Sequence, residues 1–140
     1  MKIFISGSIS IKKIDIEILN KLDSIINKKY KILLGDANGV DLLIQRYLYN
    51  RKYNNVIIYS TDYPRNNVGK WNIIEIESNE KYGTRAYYTT KDISLTKDCD
   101  YGFVIWDEKS KGSLNNIKRL KKFNKKVLIY LNKQKKFIVK

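Results

Sequence analysis

Histidine is absent from this 140-residue chain, and its one cysteine, Cys99, has no second thiol to pair with. Without histidine the chain lacks the commonest general base and the commonest soft-metal ligand. Neither a serine–histidine–aspartate triad nor a zinc site is expected, and no metal or other cofactor is called for. Asp98 and Asp100 flank Cys99 and would raise its thiol pKa, so the residue reads as a small buried side chain rather than a nucleophile. What remains is chemistry done by backbone amides, carboxylates and arginine. Three segments carry it: Gly7-Ser8, Gly35 to Asp41, and Asp107 to Asn116. Each follows an apolar run and leads into a segment with helical periodicity. A helix start presents unpaired N–H groups and the positive end of the dipole, which suits a phosphate.

Individual residues in these bends have competing uses. Gly35, Gly39 and Gly112 would permit close backbone approach or a positive φ. Gly7-Ser8 is either a plain turn or a ligand contact, and Gly112-Ser113 either a helix cap or a phosphate cradle. Asn38 can cap the following helix with Asp41 as its reciprocal partner, or Asp36, Asn38 and Asp41 can face a ligand. Arg85 is either structural or a bidentate clamp on phosphate or carboxylate. Trp71, Tyr87, Tyr88 and Trp106 offer faces on which a base or ribose could stack, Trp71 as a lid or pocket wall and Trp106 more readily as packing. No GxGxxG follows the first strand and no GxxxxGK[ST] occurs, which argues against a dinucleotide fingerprint and a nucleoside triphosphatase.

The elements that must hold these bends follow from periodicity. Short apolar runs at 2–6, 31–34, 55–60, 101–106 and 127–131 read as strands. Helical spacing places helices over 11–28, from Val40 to Leu48, over 85–98, and from Leu114 to Phe123. The stretch 61–83 is irregular, with Pro64, Asn66, Asn67 and Gly69 favouring turns; WNIIEIESN within it suits either an edge strand or a helical turn. Residues 132–140 form a basic tail that either adds a strand through Phe137-Ile138-Val139 or frays. Strands alternating with amphipathic helices predict one α/β domain over 1–140, a three-layer Rossmann-like fold with a mostly parallel sheet of about five strands and helices on both faces. Ligands in such a sheet bind beyond the carboxyl ends of the strands, where the three bends should meet.

Composition sets the outer limits. Hydrophobic residues make up 43% and charged residues 30%, and no run approaches the length of a membrane helix. The start, MKIFISGSIS, lacks the pattern of a signal peptide, so a cytoplasmic chain is expected. The formal charge is +14, and residues 109–140 hold 12 basic groups and no acidic one. Such a field attracts polyanions, nucleic acid included, although Lys, Ile, Asn and Tyr are enriched as in an AT-rich genome and drift explains the excess as well.

The order of these segments resembles the SLOG superfamily, which includes the DNA-processing protein DprA and the LOG phosphoribohydrolases, and most closely its small single-domain members. The resemblance spans residues 2–131 and rests on ISGS at 5–8, LLGDANGVD at 33–41, the helix led by Arg85, DCDYGFVIWD at 98–107 and KGSLNNI at 111–117. Small members show Gly-Gly-Ala-x-Gly-Ala-Asp after strand two; here Asp36 stands for the second glycine. The LOG motif Pro-Gly-Gly-x-Gly-Thr-x-x-Glu is similar to residues 108–116, with Gly112-Ser113 for Gly-Thr, no Pro-Gly-Gly, and Asn116 at the glutamate position. An amide cannot exchange a proton as a carboxylate does, so the phosphate-binding half of the pattern survives better than the cleavage half. Arg85 resembles the arginine that assists cleavage. Nucleoside deoxyribosyltransferases, also similar, use acids near the strand ends, a place that Asp107 occupies.

Three functions follow as expectations. The first is a module or sensor that binds a nucleotide or other phosphorylated small molecule, through Gly7, Ser8, Gly35, Asp36, Asn38, Gly39, Asp41, Arg85, Gly112, Ser113 and Asn116. The second is an N-glycosidic hydrolase or transferase with Asp107, Asp41 and Arg85 in catalysis. The third is nucleic-acid binding through the basic 109–140 segment. A homodimer or larger homo-oligomer is a further expectation, with no interface located by the sequence; a membrane partner is not expected.

Overall fold

Buried apolar runs in this chain alternate with half-apolar ones, and the computed structural model, which describes residues 1–140, builds a mixed α/β layer structure from them. In chain order the elements are β1 (Lys2–Gly7), α1 (Ile16–Asn27), β2 (Lys31–Leu34), α2 (Val40–Asn50), β3 (Val56–Thr61), β4 (Asn72–Ile76), α3 (Arg85–Asp98), β5 (Tyr101–Trp106), α4 (Lys111–Lys122), β6 (Lys126–Leu131) and β7 (Lys136–Val139). They form a seven-stranded sheet in the order β4-β3-β2-β1-β5-β6-β7. All neighbours are parallel except β7, which pairs antiparallel with β6.

The central strands are buried on both faces, which is why they read as continuous apolar runs rather than alternating ones. Ile3, Ile5, Ile32, Leu34, Ile58 and Phe103 turn toward α1 and α2, where they meet Ile18, Leu22, Ile44 and Leu48. Phe4, Leu33, Tyr59, Val104 and Ile129 turn the other way, onto Leu95 of α3 and Ile117 and Leu120 of α4. The chain winds outward from β1 through β2 to β4, then crosses over the sheet through α3 to β5. The winding reverses between β1 and β5, which pair with Ile5 opposite Phe103. A crevice opens at the carboxyl ends of those two strands for that reason.

The expectation of about five strands is corrected to seven. β4 is ambiguous in sequence because it is short, mixes Asn72 and Glu75 with three isoleucines, and is joined to β3 by residues 62–71 without a helix. β7 lies among lysines, and of the two readings of residues 132–140 the added strand through Phe137-Ile138-Val139 is the one found, closing a hairpin in which Ile138 lies opposite Ile129. Two helix starts also move. α1 begins at Ile16 and not Ile11: Ile11 is buried but sits in the loop, and Asp15 is drawn off to Tyr130 and Lys135. α4 begins at Lys111, so Gly112 and Ser113 form its first turn and do not break the chain. α3 spans 85–98 as its spacing predicts, with the Thr84 hydroxyl accepting from the Tyr87 amide at 3.2 Å.

Candidate functional site

Beside the switch between β1 and β5 lies a cleft of about 320 Å3. Its floor is the end of β1, from Ser6 to Ser8. One wall is the start of α4, at Gly112, Ser113 and Asn116. The other is a polar stripe of α3, and Ala37 and Asp41 close the end.

The α4 side is built on hydroxyls. Ser8, 1% exposed, bonds the Ser110 hydroxyl at 2.7 Å and the Ser113 hydroxyl at 3.3 Å, and accepts from the Asp107 amide at 3.1 Å. The first helical bond of α4 runs from the Leu114 amide to the Ser110 carbonyl. The amides of Lys111, Gly112 and Ser113 precede it and have no acceptor within the helix. A side chain at Gly112 would meet nothing within 4 Å, so the backbone there lies open to the cleft. Asn116 is pinned at both ends, its amide N–H on Ser6 at 3.0 Å and its carbonyl accepting from Arg119 at 2.9 Å.

Asp107 accepts from Ser10 at 2.6 Å with one oxygen and from the Lys109 and Ser110 amides at 2.8 and 2.7 Å with the other. Burial works against its charge, but these bonds and the Ser8 hydroxyl outweigh it and hold the carboxyl well below the usual range. Asp107 thus stays ionised and ties the β5–α4 bend. Asp41 behaves in the opposite way. Burial pushes it up to about 7 against the attraction of Lys91, with only the Ala37 amide, at 3.2 Å, as a hydrogen-bond donor. Asp92 on the α3 wall is raised too, by burial first and against Lys91, Arg119 and Arg65.

The other carboxylate of the second bend faces inward. Asp36, 1% exposed, takes a bidentate pairing from Arg65, whose guanidinium approaches to 2.9 Å and whose backbone amide donates at 2.8 Å. Lys91, 4% exposed, lies 3.5 Å from the same carboxylate and donates to the Tyr88 carbonyl at 2.6 Å. Burial alone would raise Asp36, but Arg65 and Lys91 bring it below its usual range. Arg65 also stands over the Tyr88 ring, 4.3 Å from its centroid. Arg85 is exposed at the mouth and pairs with no carboxylate.

Gly7, Ser8, Asp41, Arg85, Gly112, Ser113, Asn116 and Asp107 therefore line one cleft, whereas Gly35, Asp36, Asn38 and Gly39 stand behind it. Gly39 caps α2 with φ +77°, and a side chain there would lie 2.5 Å from the backbone of Ile9. Gly35 leaves room for Asp41, whose oxygen would stand 2.6 Å from any Cβ. Asn38 does not cap α2; its side-chain oxygen accepts from Asn66 at 3.0 Å, and Asp41 reaches back only as far as Ala37.

Of the four candidate stacking rings only Tyr88 lines the cleft. Tyr87 is buried with its hydroxyl on Asp62, the Trp106 indole donates to the Ser110 carbonyl, and Trp71 is packed in the core against Tyr53. Cys99 is wholly buried, and burial pushes its thiol up more than Asp100 does.

Sequence reasoning missed Lys91, Asp92, Thr89 and Arg65. Three of them had a signal: Arg85, Tyr88, Thr89 and Asp92 recur at i, i+3, i+4 and i+7, a polar stripe with Lys91 beside it, on a helix whose buried face is thin. Arg65 lies in an irregular loop and had none. Family models, curated proteins and solved structures give no match to this chain.

Proposed function

We propose that the chain binds a nucleotide or nucleotide-derived small molecule in this cleft, with a phosphate at the start of α4 and the ligand body against Tyr88 and the α3 stripe. One observation carries the reading: three bends far apart in sequence converge at the reversal of the sheet, beside open amides at the start of α4 and an arginine with no carboxylate partner. The SLOG resemblance points the same way, through the Gly112-Ser113 segment.

A thermal-shift panel of nucleoside mono- and diphosphates and dinucleotides tests it. At least one member should raise the melting temperature of the wild type. Gly112→Asp sets a carboxylate in open space at the phosphate position, so it should weaken that ligand by about tenfold or more while leaving the free protein's melting temperature nearly unchanged. Arg85→Ala should weaken it as well. A panel in which nothing binds, or binding indifferent to both variants, removes the reading.

A second reading, cleavage or transfer at an N-glycosidic bond, draws on Asp41. A carboxyl poised at about 7 beside a ligand cleft can donate a proton to a departing base near neutral pH. Asp107, bonded at both oxygens and held ionised, is suited to positioning the bend. Release of free base from a nucleotide, lost in Asp41→Asn with binding retained, is the expected signature of that activity; binding without turnover leaves the module.

A further inference from the structure

The free edge of β4 is the least protected part of the sheet. β4 pairs on one side only, with β3, in the register Ile58 to Ile73 and Tyr59 to Ile74. Ile73 thereby shares the α1/α2 face with Ile58, and Ile74 the α3 face with Tyr59. Helices normally cover both faces of a parallel strand. Here residues 62–71 cross from β3 to β4 with no helix, and Ile73 and Ile74 remain 40% and 36% exposed. Edge strands are usually blunted by lysine, proline or a bulge. The opposite edge follows that rule, since β7 is bracketed by Lys133, Lys135, Lys136 and Lys140. β4 carries three isoleucines in five residues and neither lysine nor proline.

We propose that β4 is a homodimer interface, at which two copies pair antiparallel across a two-fold axis and join their sheets into one. Charge complementarity selects a second copy in this orientation. Lys70 precedes the strand, while Glu75, Glu77 and Glu80 lie within or after it. Parallel pairing would set Glu75 against Glu75 and Lys70 against Lys70. Antiparallel pairing centred on Ile74 sets Ile74 on its own copy and Asn72 opposite Ile76, and brings the Lys70 end of each strand to the Glu77 end of the other. A shift to a register centred on Glu75 would oppose two carboxylates. The two-fold also closes the assembly, because the edges left outside are the lysine-rich β7 strands. This inference is independent of the ligand reading.

Sedimentation velocity over a micromolar concentration series, with hydrogen exchange on the same samples, tests it. The wild type should sediment at twice the 16.5 kDa chain mass, with the outward-facing amides of Ile73 and Glu75 gaining protection as the dimer forms, since those of Ile74 and Ile76 face β3. Ile74→Lys should give a monomer, whereas Val139→Lys on the opposite edge should leave the dimer intact. Lys70→Glu should weaken association, and adding Glu77→Lys should restore it. The charge pair keeps the question decidable if Ile74→Lys impairs folding. A wild type that is monomeric throughout the series overturns the proposal. So does a dimer whose β4 amides exchange freely, which would place the contact on another face, or an open-ended assembly, which a two-fold contact cannot make.

Discussion

Asp41 and Asp36 lie five residues apart on one bend, yet their environments drive them in opposite directions. Asp41 is pushed up to about 7 by burial, so ionising it costs the folded state free energy that the unfolded chain escapes. Its unfavourable contribution therefore grows as pH rises from about 4 through about 7. Asp41→Asn should raise stability at pH 8 by about 1–3 kcal/mol, with the gain shrinking toward zero near pH 4, as read by calorimetric melting across pH. The amide oxygen can still accept from Ala37, so the bend itself should hold. Asp36 has its folded pKa lowered, and the stability from its pairing with Arg65 and Lys91 is present above the ordinary carboxylate range and lost as pH falls through that folded value. Asp36→Asn removes the buried partner of Arg65 and the nearest counter-charge of Lys91, leaving Lys91 only Asp92 at 3.8 Å, and should cost about 3–5 kcal/mol at neutral pH, measured by urea denaturation.

The three bends make different demands on glycine. Gly39 is held at φ +77° with the Ile9 backbone against it, so Gly39→Ala should destabilise the fold by about 1–3 kcal/mol or more. Gly112 sits in the first turn of α4 with open space around it, and Gly112→Ala should be neutral or stabilising by up to about 1 kcal/mol. Paired chemical melts of the two variants read the contrast. The elements that were legible in the sequence are those whose periodicity comes from burial: β2 and β5 with their continuous apolar runs, and α2 with its apolar face from Val40 to Leu48. The wrong helix start and the undecided strand fall where burial does not follow the element. Ile11 packs into the core from a loop and so imitated the first turn of a helix. β4 is exposed on both faces and showed neither alternation nor a full apolar run. At the site, glycine and hydroxyl side chains at strand ends were readable because few other residues can take those positions. Lys91 and Asp92 showed only as part of a polar helical stripe; their burial was not readable, because a buried charge is defined by partners that only the crossing of α3 over the sheet supplies.

Charge is the property of the whole molecule that misleads most readily. The net +14 is concentrated beyond residue 108, and α4 turns Lys118, Lys121 and Lys122 outward, while Lys125 is tied to the carbonyls of Lys97 and Cys99. Nucleic acid held by such a surface would be bound through phosphates alone, so its affinity should fall steeply as salt rises and should not discriminate among sequences, as fluorescence titrations would show. A ligand in the cleft should be much less sensitive to salt, because its partners are fixed amides and hydroxyls. No helix is long and apolar enough to cross a membrane. The convergence of the bends is tested most directly by an amide NMR titration with the tightest nucleotide of the panel. Shifts concentrated at Gly7, Ser8, Gly112 and Ser113, and lost in Gly112→Asp, are the expected result. Shifts confined to the outer face of α4 or to the β6–β7 hairpin, with the amides of Gly112 and Ser113 unmoved, would contradict it.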